Sequence, residues 1–390
     1  MAGPTPIPAP TSYSLARDTS ETYFRSLHLK SFQETSRASS SAIVRRVSWN
    51  ALGSLIAASG TTTPNGVHVI RIWNPDKPDV KYSTELRGHT QAADSIAWDP
   101  TLADRLVSCS AGDGTVRLWD VRLRETLKIL KLTANAAGAS GAGNAGNQTA
   151  SSLKDGAAVE GATNLPQLCP LLVRFTPDGR WVLISGTQGR GIYIVDAKTF
   201  APSENGSNGV LEVSNDSDVT CATVSNSCSV LAVGLSSGAV KFYSFDTQTG
   251  HADPEPVWTM NAHRTGITCM EFDQRGQFLA LGSNDSLVSI WDTQELACIR
   301  TIGKSAFPVK SISFSFDGAY LAVSLEAADP VQIIHVESGE IVHSIGRTSA
   351  FSVPSLDWHP LRYWLAFGGD PTGLKILGNL EKYGGSRGGR

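Results

Sequence analysis

No run of about 18 consecutive apolar residues occurs, which leaves the sequence without a helical membrane span. Sulfur is sparse: 390 residues contain three methionines and six cysteines, and no two cysteines form a C-x2-C pair. Cys109, Cys169, Cys221, Cys228, Cys269 and Cys298 sit mostly inside apolar runs of strand character, so they read as reduced, buried thiols. A zinc site would need clustered ligands, and the near pair Cys221 and Cys228 has no histidine beside it. Charge of one sign is missing too. With 33 basic and 36 acidic side chains the net charge is −3, which excludes a globally basic nucleic-acid binder. There is no G-x-x-x-x-G-K-[ST] phosphate loop, no G-x-G-x-x-G after a strand and no H-E-x-x-H. No catalytic, cofactor-binding or metal-ligating set is expected. The run from Met1 to Pro10 has neither a basic n-region nor an apolar h-region, and reads as a Pro-rich extended arm rather than a secretory signal.

What is present is a core-forming composition, 41% apolar, with 37 glycines and nine tryptophans. Length alone suggests two or three domains, but an internal repeat points elsewhere. An apolar–x–aromatic or apolar triplet recurs at Val47-Ser48-Trp49, Ile96-Ala97-Trp98, Val173-Arg174-Phe175, Ala222-Thr223-Val224, Met270-Glu271-Phe272, Ile312-Ser313-Phe314 and Leu356-Asp357-Trp358. The third positions are 49, 77, 49, 48, 42 and 44 residues apart. Most triplets lead into a turn such as Pro177-Asp178-Gly179 or Asp317-Gly318, then a short apolar run such as Leu279-Ala280-Leu281-Gly282. Gly88-His89 leads to Trp119-Asp120, and Ala262-His263 to Trp291-Asp292. A period of 40–45 residues with these markers is the WD40 pattern, so the sequence predicts an all-β, seven-bladed WD40 β-propeller of four-stranded blades.

The one long gap has a visible cause. Of the 32 residues 133–164, 26 are Ala, Gly, Ser, Thr or Asn, and removing them brings the spacing to 45. A segment this poor in apolar surface cannot offset its ordering entropy, so it is expected to be a loop between blades 2 and 3. Residues 22–33 have the character of an outermost strand, which would complete the last blade and close the ring against an exposed edge. The expected organisation is a Pro-rich arm at 1–21, the propeller at 22–378 and a Gly/Arg-rich basic tail at 379–390. Residues 1–46 carry +3 and the tail +2, so the body between them is acidic. Lys382, Arg387 and Arg390 lie in a short RGG-like segment and are candidates for RNA contact.

His89, Asp113, Trp119 and a serine at 108 or 110 match the hydrogen-bonded tetrad of WD40 blades, as do His263, Ser283, Asp285 and Trp291. Histidine, aspartate and serine together suggest a catalytic triad, yet no nucleophile elbow or oxyanion site accompanies them, so a structural role is expected. Blades 3, 4, 6 and 7 carry Val195-Asp196, Phe245-Asp246, His335-Val336 and Ile376-Leu377 where Trp-Asp would fall. Candidate partner-binding residues on the face bearing His89 and Asp113 are Arg87, Gln91, Gln188, Arg190, Arg264 and Asn284, with the arginines favoured as interface anchors.

The runs Gly282-Ser283-Asn284-Asp285-Ser286-Leu287-Val288-Ser289-Ile290-Trp291-Asp292, Glu295-Leu296-Ala297-Cys298-Ile299-Arg300 and Phe307-Pro308-Val309-Lys310 resemble the THO complex subunit 3 family. Thr115-Val116-Arg117-Leu118-Trp119-Asp120-Val121-Arg122 and Trp358-His359-Pro360 agree, and the resemblance spans roughly residues 22–380. The 133–164 insertion, the Gly60–Gly66 loop of the first blade and the Pro-rich start depart from it. The resemblance implies a nuclear, non-catalytic subunit of the THO/TREX machinery that couples transcription to mRNA packaging and export. Its implied partners are large helical THO scaffold subunits and, through them, a DEAD-box RNA helicase and an export adaptor. The alternative is a substrate receptor of a cullin-type ubiquitin ligase, for which Trp119-Asp120-Val121-Arg122 supplies a WD-x-Arg element.

Overall fold

The computed structural model describes residues 15, 17–32, 44–62, 66–76, 83–132, 169–187, 190–205, 209–213, 217–303, 307–326, 331–346, 353–370 and 373–379. The 133–164 segment, residues 1–14 and residues 380–390 of the tail lie outside these. Seven antiparallel sheets follow one another along the chain as the blades of a β-propeller. Blade 1 holds Arg46–Trp49, Ile56–Thr62, His68–Trp73 and Thr84–Arg87; blade 2 holds Ser95–Trp98, Arg105–Ser110, Thr115–Asp120 and Glu125–Lys131. Blade 3 holds Cys169–Phe175, Trp181–Thr187, Gly191–Asp196 and Val210–Glu212. Blade 4 holds Val219–Val224, Val230–Leu235, Ala239–Asp246 and Trp258–Asn261, with the short strand His251–Ala252 also on its third strand. Blade 5 holds Ile267–Phe272, Phe278–Ser283, Val288–Asp292 and Ala297–Ile302; blade 6 holds Val309–Phe314, Tyr320–Leu325, Val331–His335 and Ile341–Ile345. Blade 7 holds Leu356–Trp358, Leu365–Asp370 and Gly373–Gly378, and His28–Phe32 adds its fourth strand, with His28 opposite Gly378 and Phe32 opposite Leu374. The N-terminal strand thus closes the ring as expected.

Each sequence triplet is the core of a first strand, next to the central channel. Strand side chains alternate, so Val47 and Trp49 are buried between blades while Ser48 lies on the channel wall. Second strands are largely internal, and Tyr320–Leu325 is buried throughout, while fourth strands face solvent, as in Ala297–Ile302.

A first strand pairs only with the second, so its other edge carries unpaired N–H groups toward the axis. Side chains of neighbouring blades satisfy several of them. Phe314 N–H donates to Glu271 Oε1 at 3.3 Å and Trp358 N–H to Ser313 Oγ at 3.3 Å. Across the closure, Trp49 N–H donates to Asp357 Oδ2 at 2.8 Å and Val47 N–H to Ser355 Oγ at 3.2 Å. Indoles continue the pattern: Trp98 Nε1–H reaches the Ser48 carbonyl at 2.9 Å and Trp49 Nε1–H the Asp357 carbonyl at 3.2 Å.

Several turns after first strands take a left-handed residue at their fourth position, such as Gly276 (φ 69°) in blade 5 and Gly318 (φ 68°) in blade 6. Blade 4 places Cys228 there at φ 55°, a conformation costly for a residue with a Cβ, and its sequence therefore shows no Gly turn.

One expectation needs correction. The strand read at 22–33 is only His28–Phe32, and an α-helix, Arg17–Arg25, precedes it, starting inside the segment assigned to the arm. The helix has nine residues, too short for its period to stand out. Phe24 is fully buried among Tyr320, Tyr363 and Trp358, with ring centroids 5.0, 5.8 and 6.1 Å away. The helix therefore anchors the closing strand. Removing this side chain should cost about 3–5 kcal/mol; we expect Phe24→Ala to lower the denaturant midpoint accordingly, and an unchanged midpoint would show that the helix does not secure the closure.

Candidate functional site

The blade 2 tetrad forms as read, and the structure selects Ser108 over Ser110. With its proton on Nδ1, His89 donates to Asp113 Oδ2 at 2.7 Å, and its Nε2 is 2.7 Å from Ser108 Oγ. Trp119 Nε1–H donates to the same hydroxyl at 2.8 Å. Asp113 also accepts the Thr90 and Thr115 backbone amides. Desolvation would raise its pKa, but the His89 hydrogen bond and charge outweigh it and hold it near about 2. Every member of this cluster is used in bonding the inter-blade loop to the turn between the second and third strands.

In blade 5, Ser283 does not join the tetrad; this corrects the sequence reading. His263 Nδ1 pairs with Asp285 at 3.0 Å, but Nε2 meets Ser289 Oγ at 2.8 Å, and Trp291 Nε1–H donates to Ser289 Oγ at 2.8 Å. Ser283 instead donates to the Thr265 and Gly266 carbonyls, each at 3.1 Å. Strand register explains the change. Ser108 on the second strand lies opposite Arg117 on the third, whereas Leu281 lies opposite Ser289. The hydroxyl has moved across one cross-strand pair, where it still reaches the same space.

Turns between second and third strands and loops between blades fall at one end of the ring. On that face Arg87 is exposed and paired with Glu85 at 2.6 Å. Gln91 is exposed beside Gly112, close enough that a Cβ there would meet its side chain at 2.9 Å. Arg190, Arg264 and Asn284 are also exposed. Backbone bonds hold their positions: Val213 N–H to the Arg190 carbonyl at 2.8 Å, Arg264 N–H to Asp285 at 3.3 Å and Asn284 N–H to the Gly266 carbonyl at 3.1 Å. Gln188, Lys382, Arg387 and Arg390 lie outside the described residues.

The opposite face carries a feature that no sequence motif marks, an apolar groove of about 300 Å³ between blades 4 and 5. Phe242 and Trp258 stack in it at 5.1 Å and 24°, joined by Met260, Phe272, Trp291 and Leu296. In blade 2 the residue after Trp-Asp is Val121, which is buried, and Trp119 has no exposed surface. Blade 5 has Thr293 there, bonded to the Gly276 carbonyl at 2.6 Å, and Trp291 stays partly open. Val257 at 74% and Leu296 at 46% exposure extend the apolar surface.

The channel, about 400 Å³, is walled by the middle residues of the triplets. Burial raises Glu271 to about 8, with Asp357 adding and Arg174 opposing, and burial raises Asp357 to about 6 against the Trp49 N–H. Among the described residues no three His, Cys, Asp or Glu side chains are grouped to hold a metal ion, and no helix is long and apolar enough to cross a membrane.

Two measurements follow from this geometry. Ser289→Ala should destabilise the chain by about 1–3 kcal/mol, since it strands His263 Nε2 and Trp291 Nε1–H. In double-mutant cycles Trp291→Phe should couple to Ser289→Ala and add independently to Ser283→Ala; the reverse would restore Ser283 to the tetrad. For pH, folded Glu271 keeps a proton that the unfolded chain releases above 4.5, so its effect is a stability loss as pH rises from about 4.5 to about 8. Glu271→Gln should flatten the melting temperature between pH 6 and 8 at fixed ionic strength; an identical slope would reject the assignment.

Comparison with known proteins agrees with this architecture. The family model WD domain, G-beta repeat matches residues 80–120 and 254–292, which carry the two tetrads. THO complex subunit 3 of Arabidopsis thaliana is 28% identical over 354 residues, covering 90% of this chain and 93% of that protein. WD repeat-containing protein AAC3 of Dictyostelium discoideum is 27% identical over 370 residues, covering 90% of this chain and 65% of that protein. Among solved structures, the Cps50 (Swd1) β-propeller domain of Myceliophteria thermophila superposes with a TM-score of 0.64 at 15% identity, covering 86% of this chain and 96% of that one, and it speaks for the fold alone. The chain is a seven-bladed β-propeller with two matched WD40 repeats, and its similarity to THO complex subunit 3 of Arabidopsis thaliana runs through nearly the whole length of both proteins.

Proposed function

We propose that this protein is the propeller subunit of a nuclear THO-type assembly, and that it joins transcription to mRNA packaging and export by holding other subunits in place rather than by catalysis. The observation that carries this reading is the similarity to THO complex subunit 3, which extends across 90% of this chain. The same relatives do not favour the ubiquitin-ligase alternative. A rigid ring with satisfied internal polar groups suits docking, because its loops and grooves present preformed surfaces.

Both faces are available to such an assembly. The groove between blades 4 and 5 offers apolar anchoring for side chains of a large helical scaffold subunit, which fits the preference of interface centres for aromatic pockets. The tetrad face offers Arg87, Gln91, Arg190, Arg264 and Asn284 for polar and charged contacts. A DEAD-box helicase and an export adaptor would be reached through the scaffold, and RNA through Lys382, Arg387 and Arg390 of the tail.

The tagged chain should co-purify with THO scaffold subunits after nuclease treatment. Release by nuclease would mean that RNA bridges the association, and absence would refute the reading. Within that complex, Leu296→Asp should weaken recovery of scaffold subunits about tenfold with an unchanged melting temperature, whereas Arg190→Glu and Arg264→Glu test the tetrad face. Deleting residues 379–390 should reduce RNA crosslinking, and unchanged crosslinking would overturn RNA contact by the tail.

A further inference from the structure

The channel wall carries four ionisable side chains, Arg46, Arg174, Glu271 and Asp357, and they are not equally occupied. The carboxylates already accept from protein donors. Glu271 Oε1 takes the Phe314 N–H, and Asp357 Oδ2 takes the Trp49 N–H. The guanidiniums make fewer hydrogen bonds within the protein. Arg46 Nε–H reaches only the Asp94 carbonyl at 3.4 Å, while the Asp94 carboxylate pairs with Arg45 at 2.8 Å. Arg174 acts on Glu271 and Asp357 through its charge, which lowers the pKa of both carboxyl groups.

A guanidinium offers five N–H donors in a fixed fork, and the forks of Arg46 and Arg174 open onto the channel, where a ligand can reach them. The two cations also repel each other: burial lowers the pKa of Arg46 and the charge of Arg174 lowers it further. The remaining channel groups are compatible with an oxygen-rich anion. Ser48, Ser95, Thr223 and Ser311 line the wall, and burial keeps Glu271 protonated near neutral pH, where it can donate rather than repel. With Glu271 neutral, two guanidiniums face one carboxylate.

We propose that the central channel binds a small phosphate-class oxyanion, held between Arg46 and Arg174. Forked donors suit phosphate oxygens bidentately, and one doubly charged anion would engage both forks and offset the repulsion between the arginines. Neither arginine lines the groove or belongs to the tetrad-face set, so the site does not depend on the THO reading.

The test uses the full chain without partners. Orthophosphate, pyrophosphate and ATP are titrated against sodium chloride of matched ionic strength, with melting temperature and calorimetric affinity as readouts. Pyrophosphate should raise the melting temperature above the chloride control, and Arg174→Gln should lose at least about tenfold in affinity, as expected when a charge-assisted bond is removed. A second measurement needs no variant. Phenylglyoxal modification of the native chain, mapped by mass spectrometry, should be blocked by the phosphate compounds at Arg46 and Arg174 and not at exposed Arg87. Equal protection by all three compounds assigns the site to the free oxyanion, and protection by ATP alone assigns it to a nucleotide phosphoryl group. No protection at either channel arginine, or full affinity retained in Arg174→Gln, overturns the proposal.

Discussion

The ring depends on how the innermost strands satisfy the backbone groups that face the axis. A first strand has one neighbour in its own sheet, so half of its hydrogen-bonding capacity would be left over in a narrow channel. The chain meets this with side chains of the adjoining blade: Glu271 for blade 6, Ser313 for blade 7, Asp357 and Ser355 for blade 1. These bonds join residues up to 308 positions apart and hold blade to blade rather than strand to strand. The same requirement places carboxylates on the channel wall, in the cavity that Arg46 and Arg174 also line, and their burial there accounts for the raised values of Glu271 and Asp357.

The tetrads act at the other level, within a blade. In blades 2 and 5 a buried imidazole, carboxylate, hydroxyl and indole satisfy one another and tie a loop to a turn. The arrangement resembles a triad in composition, yet its serine hydroxyl is taken up by the tryptophan N–H, and buried networks of this kind confer rigidity. Rigidity is what a docking subunit needs, since a preformed surface loses little entropy on association. The two blades with full tetrads differ in one respect that bears on docking: Val121 closes over Trp119, whereas Thr293 leaves Trp291 at the floor of an apolar groove.

Much of this was legible in the residues. The apolar triplets, the turn after each and the Gly-His to Trp-Asp spacing mark strands and blades because burial between sheets demands alternation with period two. The closing strand was legible because a propeller without it would expose an edge. The helix Arg17–Arg25 was not: nine residues anchored by Phe24 produce no clear period, and its seat of Tyr320, Trp358 and Tyr363 is assembled from blades some 300 residues away in the chain. The Ser283 assignment failed for a different reason. A motif records positions along one strand, but a hydrogen bond needs an oxygen at a point in space, and Ser289 reaches that point from the facing strand.

The sequence by itself determined the fold class, the number of blades, the way the ring closes and the family resemblance, since each follows from periodic burial and from local spacing. Tertiary structure alone decided which serine completes a tetrad, that Trp291 is left partly open, and that Arg46, Arg174, Glu271 and Asp357 share one channel. The physical reason is common to all three. Closure brings together side chains from different blades, and no local pattern records the distance between residues that meet only across the ring.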